Sequence, residues 1–151
     1  FYVDWLKDKQ EAHVIGPDTD FRVKFSGRIF RNSDGKRNFP SGEFFTSPLE
    51  DSAEGHVRFT IPSVVNGHLV SDIPLTFERG RVVDASAAQG DAFLKEMLAS
   101  DEGASRLGEF AVGNNFGIQL GIRNILFDEK IGGTIHMALG NSYHECGGKN
   151  T

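Results

Sequence analysis

The sequence predicts an α+β domain that is mostly antiparallel sheet with helices, and three observations lead to that class. Apolar and polar residues alternate with the period of a strand through much of the first 85 residues. After residue 90, apolar residues recur at helical spacing instead. The 151 residues are 38% hydrophobic and 25% charged, which suits one soluble domain with a real core. Strands followed by helices in one domain are typical of the α+β class.

The strands are recognised by this alternation and by the turns between them. In DFRVKFSGRIFR, Phe21, Val23 and Phe25 share one face and basic residues occupy the other. Residues 32–38 (NSDGKRN) are interpreted as a solvated turn, and GHVRFTIPSVV then alternates again. In DIPLTFERGRVVDASAA, the ERGR between two alternating runs predicts a tight hairpin with Gly80 at a positive φ.

Two helices are predicted in the segment GDAFLKEMLASDEGASRLGEF. The first carries four apolar residues at helical spacing, namely Phe93, Leu94, Met97 and Leu98. A second, short helix is expected to begin at Asp101 and Glu102 and to carry Ala104 and Leu107. These helices follow the strands, as expected for the class.

Both ends of the chain indicate a single domain that is part of a longer chain. The sequence opens FYVDWLKDKQ without methionine, and Tyr2, Trp5 and Leu6 form a helical apolar stripe that starts at once. The other end, HECGGKNT, is a glycine-rich run of the kind in which fragments are cut.

Charge and cysteine content exclude several classes of function. The net charge of -5 provides no basic footprint, so we expect no nucleic acid and no anionic membrane as partner. No apolar run is long enough to cross a bilayer. The single cysteine, Cys146, excludes an internal disulfide and suits a reducing compartment, so we expect a cytoplasmic location.

A lone histidine occupies the apolar run IGGTIHMALG. In a strand, His136 points away from the face that carries Ile135, Met137 and Leu139. A single buried histidine is usually satisfied by a backbone carbonyl. A functional role for His136 therefore requires acidic partners.

Two glutamates are candidates for those partners. Glu43 follows the loop PSG at the entry to an aromatic strand, although its position alone slightly favours a solvated residue. Glu109 has apolar neighbours in RLGEFAVG, so its carboxylate needs a cation, a metal or a proton. The other acidic groups, residues 50–54 and 128–130, are interpreted mainly as solvated surface.

Several long motifs, in order, carry a family resemblance. The segments PSGEFFTSP, FERGRVVDASAAQG, GEFAVGNNFGI, RNILFDEKIGGTIHMALG and SYHECGGKN closely resemble the C-terminal catalytic domain of the aminopeptidase T/aminopeptidase S family, the thermophilic-type metallo-aminopeptidases. The resemblance extends along nearly the whole chain from about Phe21. It implies a homodimeric enzyme that uses two divalent metal ions to release N-terminal residues from peptides with a free N-terminus.

The resemblance also implies roles for four residues. Glu43, Glu109 and His136 correspond to metal ligands, with Glu109 as the carboxylate shared by both ions. Tyr143 in NSYHE corresponds to a tyrosine at the metal site, where its phenol contacts a metal or donates a hydrogen bond to the tetrahedral oxyanion. Two carboxylates and an imidazole suit zinc, cobalt or manganese. The sequence leaves open which group protonates the leaving amine.

Two departures from the family pattern qualify this assignment. His144 stands where the family usually has proline. The remaining ligands, in a His-x-Asp pattern, are not found in these residues. We therefore expect residues 1–151 to be a partial C-terminal catalytic domain, truncated before the last metal ligands and inactive alone.

Two rival interpretations remain. In the first, the chain is a non-enzymatic dimerisation or peptide-binding module, since its thirteen phenylalanines suit an interface as well as a core. In the second, Cys146 is a nucleophile paired with His144, which the adjacent Glu145 disfavours because reactive thiols need an electropositive setting.

Overall fold

The structure is a computed structural model that describes residues 1–151. The strands are β1 (Glu11–Gly16), β2 (Thr19–Lys24), β3 (Arg31–Ser33), β4 (Glu43–Thr46), β5 (Glu54–Phe59), β6 (Ser63–Val65), β7 (His68–Val70), β8 (Ile73–Glu78), β9 (Arg81–Ala85), β10 (Leu107–Gly113) and β11 (Ile135–Leu139). The helices are α1 (Tyr2–Leu6), α2 (Asp91–Leu98), α3 (Ile125–Asp128) and a 3-10 turn (His144–Cys146). None of the helices has the length and apolar character that a membrane span requires.

The strands form two main antiparallel sheets, which confirms the predicted α+β class. The first sheet has the order β1-β2-β5-β8-β9, and the second has the order β11-β10-β4-β3. Strands β6 and β7 form a separate hairpin. In the second sheet, β10 lies between β4 and β11, so strands from the early and late parts of the chain become neighbours.

The main core is formed by apolar side chains from both sheets. Phe21 of β2 and Phe77 of β8 are fully buried and meet edge to face, with ring centroids 5.3 Å apart. Phe110 of β10 belongs to the same cluster, and side chains of β11 pack against it. One face of the four-stranded sheet therefore packs into the core, and its other face is available for polar side chains.

The predicted alternation and hairpin are both confirmed. Phe21, Val23 and Phe25 are buried, while the residues between them are exposed. Gly80 has φ +78° in the turn between β8 and β9. A Cβ on Gly80 would lie 1.8 Å from the backbone oxygen of Glu50, so only glycine fits there.

The second predicted helix, from Asp101, is wrong. Asp101 instead closes a turn, because its Oδ1 accepts hydrogen bonds from the backbone N–H groups of Gly103 (2.7 Å) and Ala104 (2.8 Å). Leu107 begins β10 and is buried in the main core. Strand pairing on both sides of β10 outweighs the short helical spacing.

The N-terminal helix is present, but its buried stripe differs from the predicted one. Val3 and Leu6 pack on the smaller core cluster, and Tyr2 stacks on Phe44 at 5.4 Å. Trp5 is exposed and lies under the ammonium group of a nearby lysine. One turn of helix can bury only part of its apolar set against a sheet.

Candidate metal centre

Strand register places the sequence-predicted site residues on one face of the second sheet. Ala111 of β10 lies opposite His136 of β11 and opposite Phe45 of β4. Glu109 is two residues from Ala111, and Glu43 is two residues from Phe45. Because side chains alternate along a strand, all five residues share a face.

The opposite face carries the apolar residues. Phe110, Ile135 and Met137 belong to or pack against the main core. The prediction that His136 points away from its apolar neighbours is thus confirmed. Fully buried Ala111 lies in the middle row, where its small side chain leaves room for Glu43 and His136 to approach each other across β10.

The polar atoms of this face converge without pairing completely. Nε2 of His136 is 3.0 Å from Oε2 of Glu43 and 3.8 Å from Oε1 of Glu109. Neither Oε2 of Glu43 nor either ring nitrogen of His136 has a hydrogen-bond partner, although these atoms are buried. The 3.0 Å approach therefore brings two potential ligand atoms together without a hydrogen bond between them.

Two further residues of the cluster, Glu129 and Lys130, were missed by the sequence analysis. The interpretation of residues 128–130 as solvated surface is wrong, because Lys130 is fully buried and the Glu129 side chain is only 19% exposed. Nζ of Lys130 lies 2.8 Å from Oε1 of Glu43 and also contacts Oε1 of Glu129. The one available signal was their place in the motif RNILFDEKIGGTIHMALG, which also contains His136.

The loop before Glu43 holds that residue against the end of β10. Gly42 has φ +119°, and a Cβ there would lie 2.6 Å from Cβ of Asn115. Nδ2 of Asn115 donates a hydrogen bond to the backbone oxygen of Ser41 at 2.8 Å. The sequence SGE thus lets the chain pass close to the strand end and turn the Glu43 carboxylate inward.

Electrostatics within the cluster oppose the cost of burial. Burial by itself lowers the pKa of His136, but the carboxylates of Glu109 and Glu43 outweigh it and raise that pKa to about 9. Burial by itself raises the pKa of Glu43, yet His136 and Lys130 hold it below its ordinary value. Without a bound ion, the histidine is therefore the proton-carrying partner of the carboxylates.

Tyr143 lies beside this cluster and is half-exposed. Its ring packs on Phe45, with centroids 4.9 Å apart, and its backbone N–H donates to Oγ of Ser47 at 2.7 Å. Burial, together with the negative charges of Glu109 and other nearby carboxylates, raises the pKa of Tyr143 to about 12. The phenol therefore keeps its proton at neutral pH and is available as a hydrogen-bond donor.

The surroundings of Cys146 do not suit a nucleophile. The side chain is completely buried, and that burial raises the pKa of its thiol. The ring of His144 is within hydrogen-bond distance of the backbone oxygen of Gly148, with Nδ1 at 3.1 Å. Cys146 therefore has the character of a structural thiol.

The donor set fits a divalent metal ion. One donor atom from each of Glu43, Glu129 and His136 can be chosen so that all three lie within 4.8 Å of one another. Glu109 approaches the same cluster from the side of His136. Oxygen and imidazole ligands of this kind suit zinc, cobalt or manganese, and the unpartnered Oε2 and Nε2 atoms are the ones an ion would satisfy.

A family described as thermophilic metalloprotease (M29) matches residues 2–151. This chain belongs to the M29 family. Its similarity to characterised members confirms the resemblance found in the motifs. It is 38% identical to aminopeptidase 2 of Geobacillus stearothermophilus over 93% of this chain and 37% of that protein. It is 35% identical to aminopeptidase AmpS of Bacillus subtilis (strain 168) over 93% of this chain and 38% of that protein.

The fold of this M29 chain is also that of a solved relative. Wild-type AmpT from Thermus thermophilus superimposes with a TM-score of 0.85 at 34% identity, covering 95% of this chain and 40% of that one. A dioxygenase from Pseudomonas putida KT2440 that acts on 2,5-dihydroxypyridine superimposes with a TM-score of 0.75 at 20% identity, which shows the fold alone. The M29 chain spans less than half the length of these relatives.

Proposed function

We propose that this chain forms part of the catalytic domain of a metal-dependent aminopeptidase, a hydrolase that releases N-terminal residues from peptides. Membership of a metalloprotease family and similarity to proteins named aminopeptidases support the class of reaction. The substrate is a peptide with a free N-terminus. Residues 1–151 contribute one face of the active centre, and residues outside them contribute the rest.

The observation that carries this proposal is the convergence of Glu43, Glu109 and His136 on one sheet face. Oε2 of Glu43 and Nε2 of His136 are buried and 3.0 Å apart, and neither has a hydrogen-bond partner. Buried carboxylate oxygens and an imidazole nitrogen that converge in this way form a donor set suited to a divalent ion, which favours a role for these three residues as metal ligands.

The proposed centre holds two divalent ions, zinc, cobalt or manganese. No His-x-Asp sequence occurs within the 151 residues, so we propose that the remaining ligands lie outside them. When bound, a divalent ion supplies Lewis-acid chemistry, that is, positive charge where negative charge develops on a peptide carbonyl oxygen.

The residues of this chain have distinct tasks in the proposed reaction. Glu43, Glu109 and His136 would hold the metal ions, and Glu129 adds a carboxylate to the same cluster. Tyr143 keeps its proton and donates a hydrogen bond to the oxygen that becomes negative during attack. Its ring packs against Phe45 at a tilt of 51°, which supports the side chain from one side.

Two further parts of the proposal concern location and assembly. The single, buried cysteine suits a reducing cytoplasm. The homodimer is the arrangement that the family resemblance implies.

The test is leucine release from a leucine-capped peptide by the longer protein to which this chain is proposed to belong. The protein is chelated and then titrated with zinc, cobalt or manganese, beside its Glu109→Gln variant and a Glu54→Gln control on the other sheet. We expect metal to restore activity to the native protein and the control but not to Glu109→Gln. Activity that survives chelation, or full activity of Glu109→Gln, contradicts the proposal. The 151-residue chain alone is expected to be inactive.

The alternative is a non-enzymatic dimerisation or peptide-binding module. The occurrence of the same fold in a dioxygenase shows that the fold alone does not determine the reaction. A binding module should keep its peptide affinity when Glu109 and His136 are both replaced. A metallopeptidase should lose activity with either replacement.

A further inference from the structure

Lys130 is the one basic side chain of the candidate centre that the proposed function does not use. It is fully buried, which is rare for lysine without a partner. It follows α3 directly, and its backbone N–H donates to the carbonyl oxygen of Phe127 at 3.1 Å. The ammonium group therefore enters the cluster from a turn, whereas Glu43, Glu109 and His136 enter it from strands.

Lys130 contacts only one of the two carboxylate oxygens of Glu43, and His136 faces the other. Oε1 of Glu43 lies 2.8 Å from Nζ of Lys130, while Oε2 faces Nε2 of His136 at 3.0 Å. Lys130 also contacts the carboxylate of Glu129. One side of the cluster is therefore already occupied by a cation, and the unpartnered atoms lie on the other side.

The net charge of the cluster agrees with this arrangement. Glu43, Glu109 and Glu129 carry three negative charges when ionised, and Lys130 offsets one of them. The remaining negative charge of about two is neutralised by one divalent ion, with the His136 imidazole as a neutral ligand.

We infer that Lys130 serves as a fixed cation beside Glu43 and Glu129, so that this chain's own residues hold one divalent ion, bound through Oε2 of Glu43, Glu109 and His136. The inference rests on the proposed metal centre and specifies its charge and occupancy. The second ion of the proposed centre then depends on ligands from outside these residues.

The test measures cobalt(II) binding to the 151-residue chain by equilibrium dialysis. Three variants form a charge series: Lys130→Met removes the positive charge, Glu129→Gln removes a negative one, and the double variant removes both. We expect one ion per native chain. We expect its Kd to fall about tenfold in Lys130→Met, to rise about tenfold in Glu129→Gln, and to return close to the native value in the double variant.

A purely structural lysine gives the opposite sign. If Lys130 only stabilises the fold, Lys130→Met should lower stability and weaken cobalt binding together. Arg28→Met is the matched control, because Arg28 is also a buried cation, paired with Glu50 at 2.6 Å, but lies outside the cluster. It should lower stability and leave the cobalt Kd unchanged.

The series remains decisive if Lys130→Met does not fold. The double variant removes one positive and one negative charge and so leaves the net charge of the cluster unchanged, which makes it the more tolerant background. Glu129→Gln and the double variant then differ only in the lysine, and the double variant must bind cobalt more tightly. Equal or weaker binding by the double variant overturns the inference.

The remaining outcomes separate the inference from the proposed function. A native chain that binds no cobalt overturns the inference alone, because the proposed function is tested on the longer protein, which supplies the remaining ligands. A native chain that binds two ions, or a Lys130→Met variant that folds and binds its ion more weakly, overturns the inference on Lys130 alone.

Discussion

His136 and Glu43 face each other across strand β10, with Nε2 and Oε2 3.0 Å apart and no hydrogen bond between them. They come from strands that are not neighbours, β11 and β4; on β10 between them, Ala111 lies opposite His136 and Gly113 lies opposite Glu43. The first prediction concerns that alanine.

Replacing Ala111 with leucine should weaken metal binding. Ala111 is fully buried in the row between His136 and Phe45, so a larger side chain must displace the groups that approach across it. We expect the cobalt Kd to rise about 10- to 100-fold, the range found when residues that orient metal ligands are changed. Val112→Ala, on the opposite face of the strand, is the control and should reduce stability without changing the Kd. An unchanged Kd in Ala111→Leu would mean that the ion binds elsewhere.

Divalent metal should stabilise the folded chain. An ion that binds only the folded state at 100 times its Kd adds about 2.7 kcal/mol to the free energy of unfolding. Urea unfolding with and without cobalt measures this gain. The gain should disappear in Glu43→Gln and persist in Glu50→Gln, which changes an acidic residue outside the cluster. An equal gain in both variants argues against Glu43 as a ligand.

The hairpin glycine at position 80 should be far less replaceable than another glycine of similar φ. Gly80→Ala combines an unfavourable φ of +78° with a clash against the backbone of Glu50, whereas Gly67 has φ +81° and nothing within 4 Å of a Cβ. We expect Gly67→Ala to cost about 1 kcal/mol, the conformational cost of the left-handed region. Gly80→Ala should cost at least about 2 kcal/mol more, because backbone must move. Comparable unfolding free energies for the two variants would contradict the close approach.

The Arg28–Glu50 pair should stabilise the fold in a pH-dependent manner. Burial by itself raises the pKa of Glu50, but the backbone N–H groups of Glu50 and Lys149 and the guanidinium of Arg28 hold it below its ordinary value. A carboxyl whose pKa is lowered on folding adds stability above its unfolded pKa, near 4.3, and that stability is lost as pH falls through the folded pKa. Arg28→Met should therefore cost about 2 kcal/mol at pH 7 and progressively less below about pH 4.

Urea unfolding of the native chain and Arg28→Met between pH 3 and pH 7 checks this dependence. Glu50→Gln is the control, since it removes the titrating group and should show little further loss on acidification. A difference between native chain and Arg28→Met that is constant over this pH range contradicts the assignment.

Cys146 should be unreactive in the native chain. The thiol is completely buried and its pKa is raised by that burial. Labelling with a thiol-reactive disulfide reagent should be negligible without denaturant and rapid in urea. Fast native labelling would revive the interpretation of Cys146 as a nucleophile.

Much of the sheet could be predicted from the sequence because alternation is a local property. The buried face of β2, the hairpin at Gly80 and the orientation of His136 all follow from the two-residue period and from turn residues. The helix expected from Asp101 failed because four residues of helical spacing are weak information. A side-chain turn and pairing of Leu107 into β10 decided that segment.

The candidate site was likewise predictable from the sequence only in part. The motifs that resemble the family include Glu43, Glu109, His136 and Tyr143, and the structure brings the first three together and sets Tyr143 beside them. Their roles as ligands and as hydrogen-bond donor remain predictions. Glu129 and Lys130 also lie in one of these motifs, but FDEK has no periodic signal of burial and its charges favour solvated surface.

The sequence by itself determined the family, the class of fold and the buried face of strands such as β2 and β11, because composition, motif order and side-chain alternation are properties of the local sequence. Only the tertiary structure decided that β10 separates β4 from β11 and that the turn after α3 inserts a lysine between two glutamates. The physical reason is that a buried charge is tolerated only where opposite charges meet it, and Glu43, one of the two partners of Lys130, comes from a distant part of the chain.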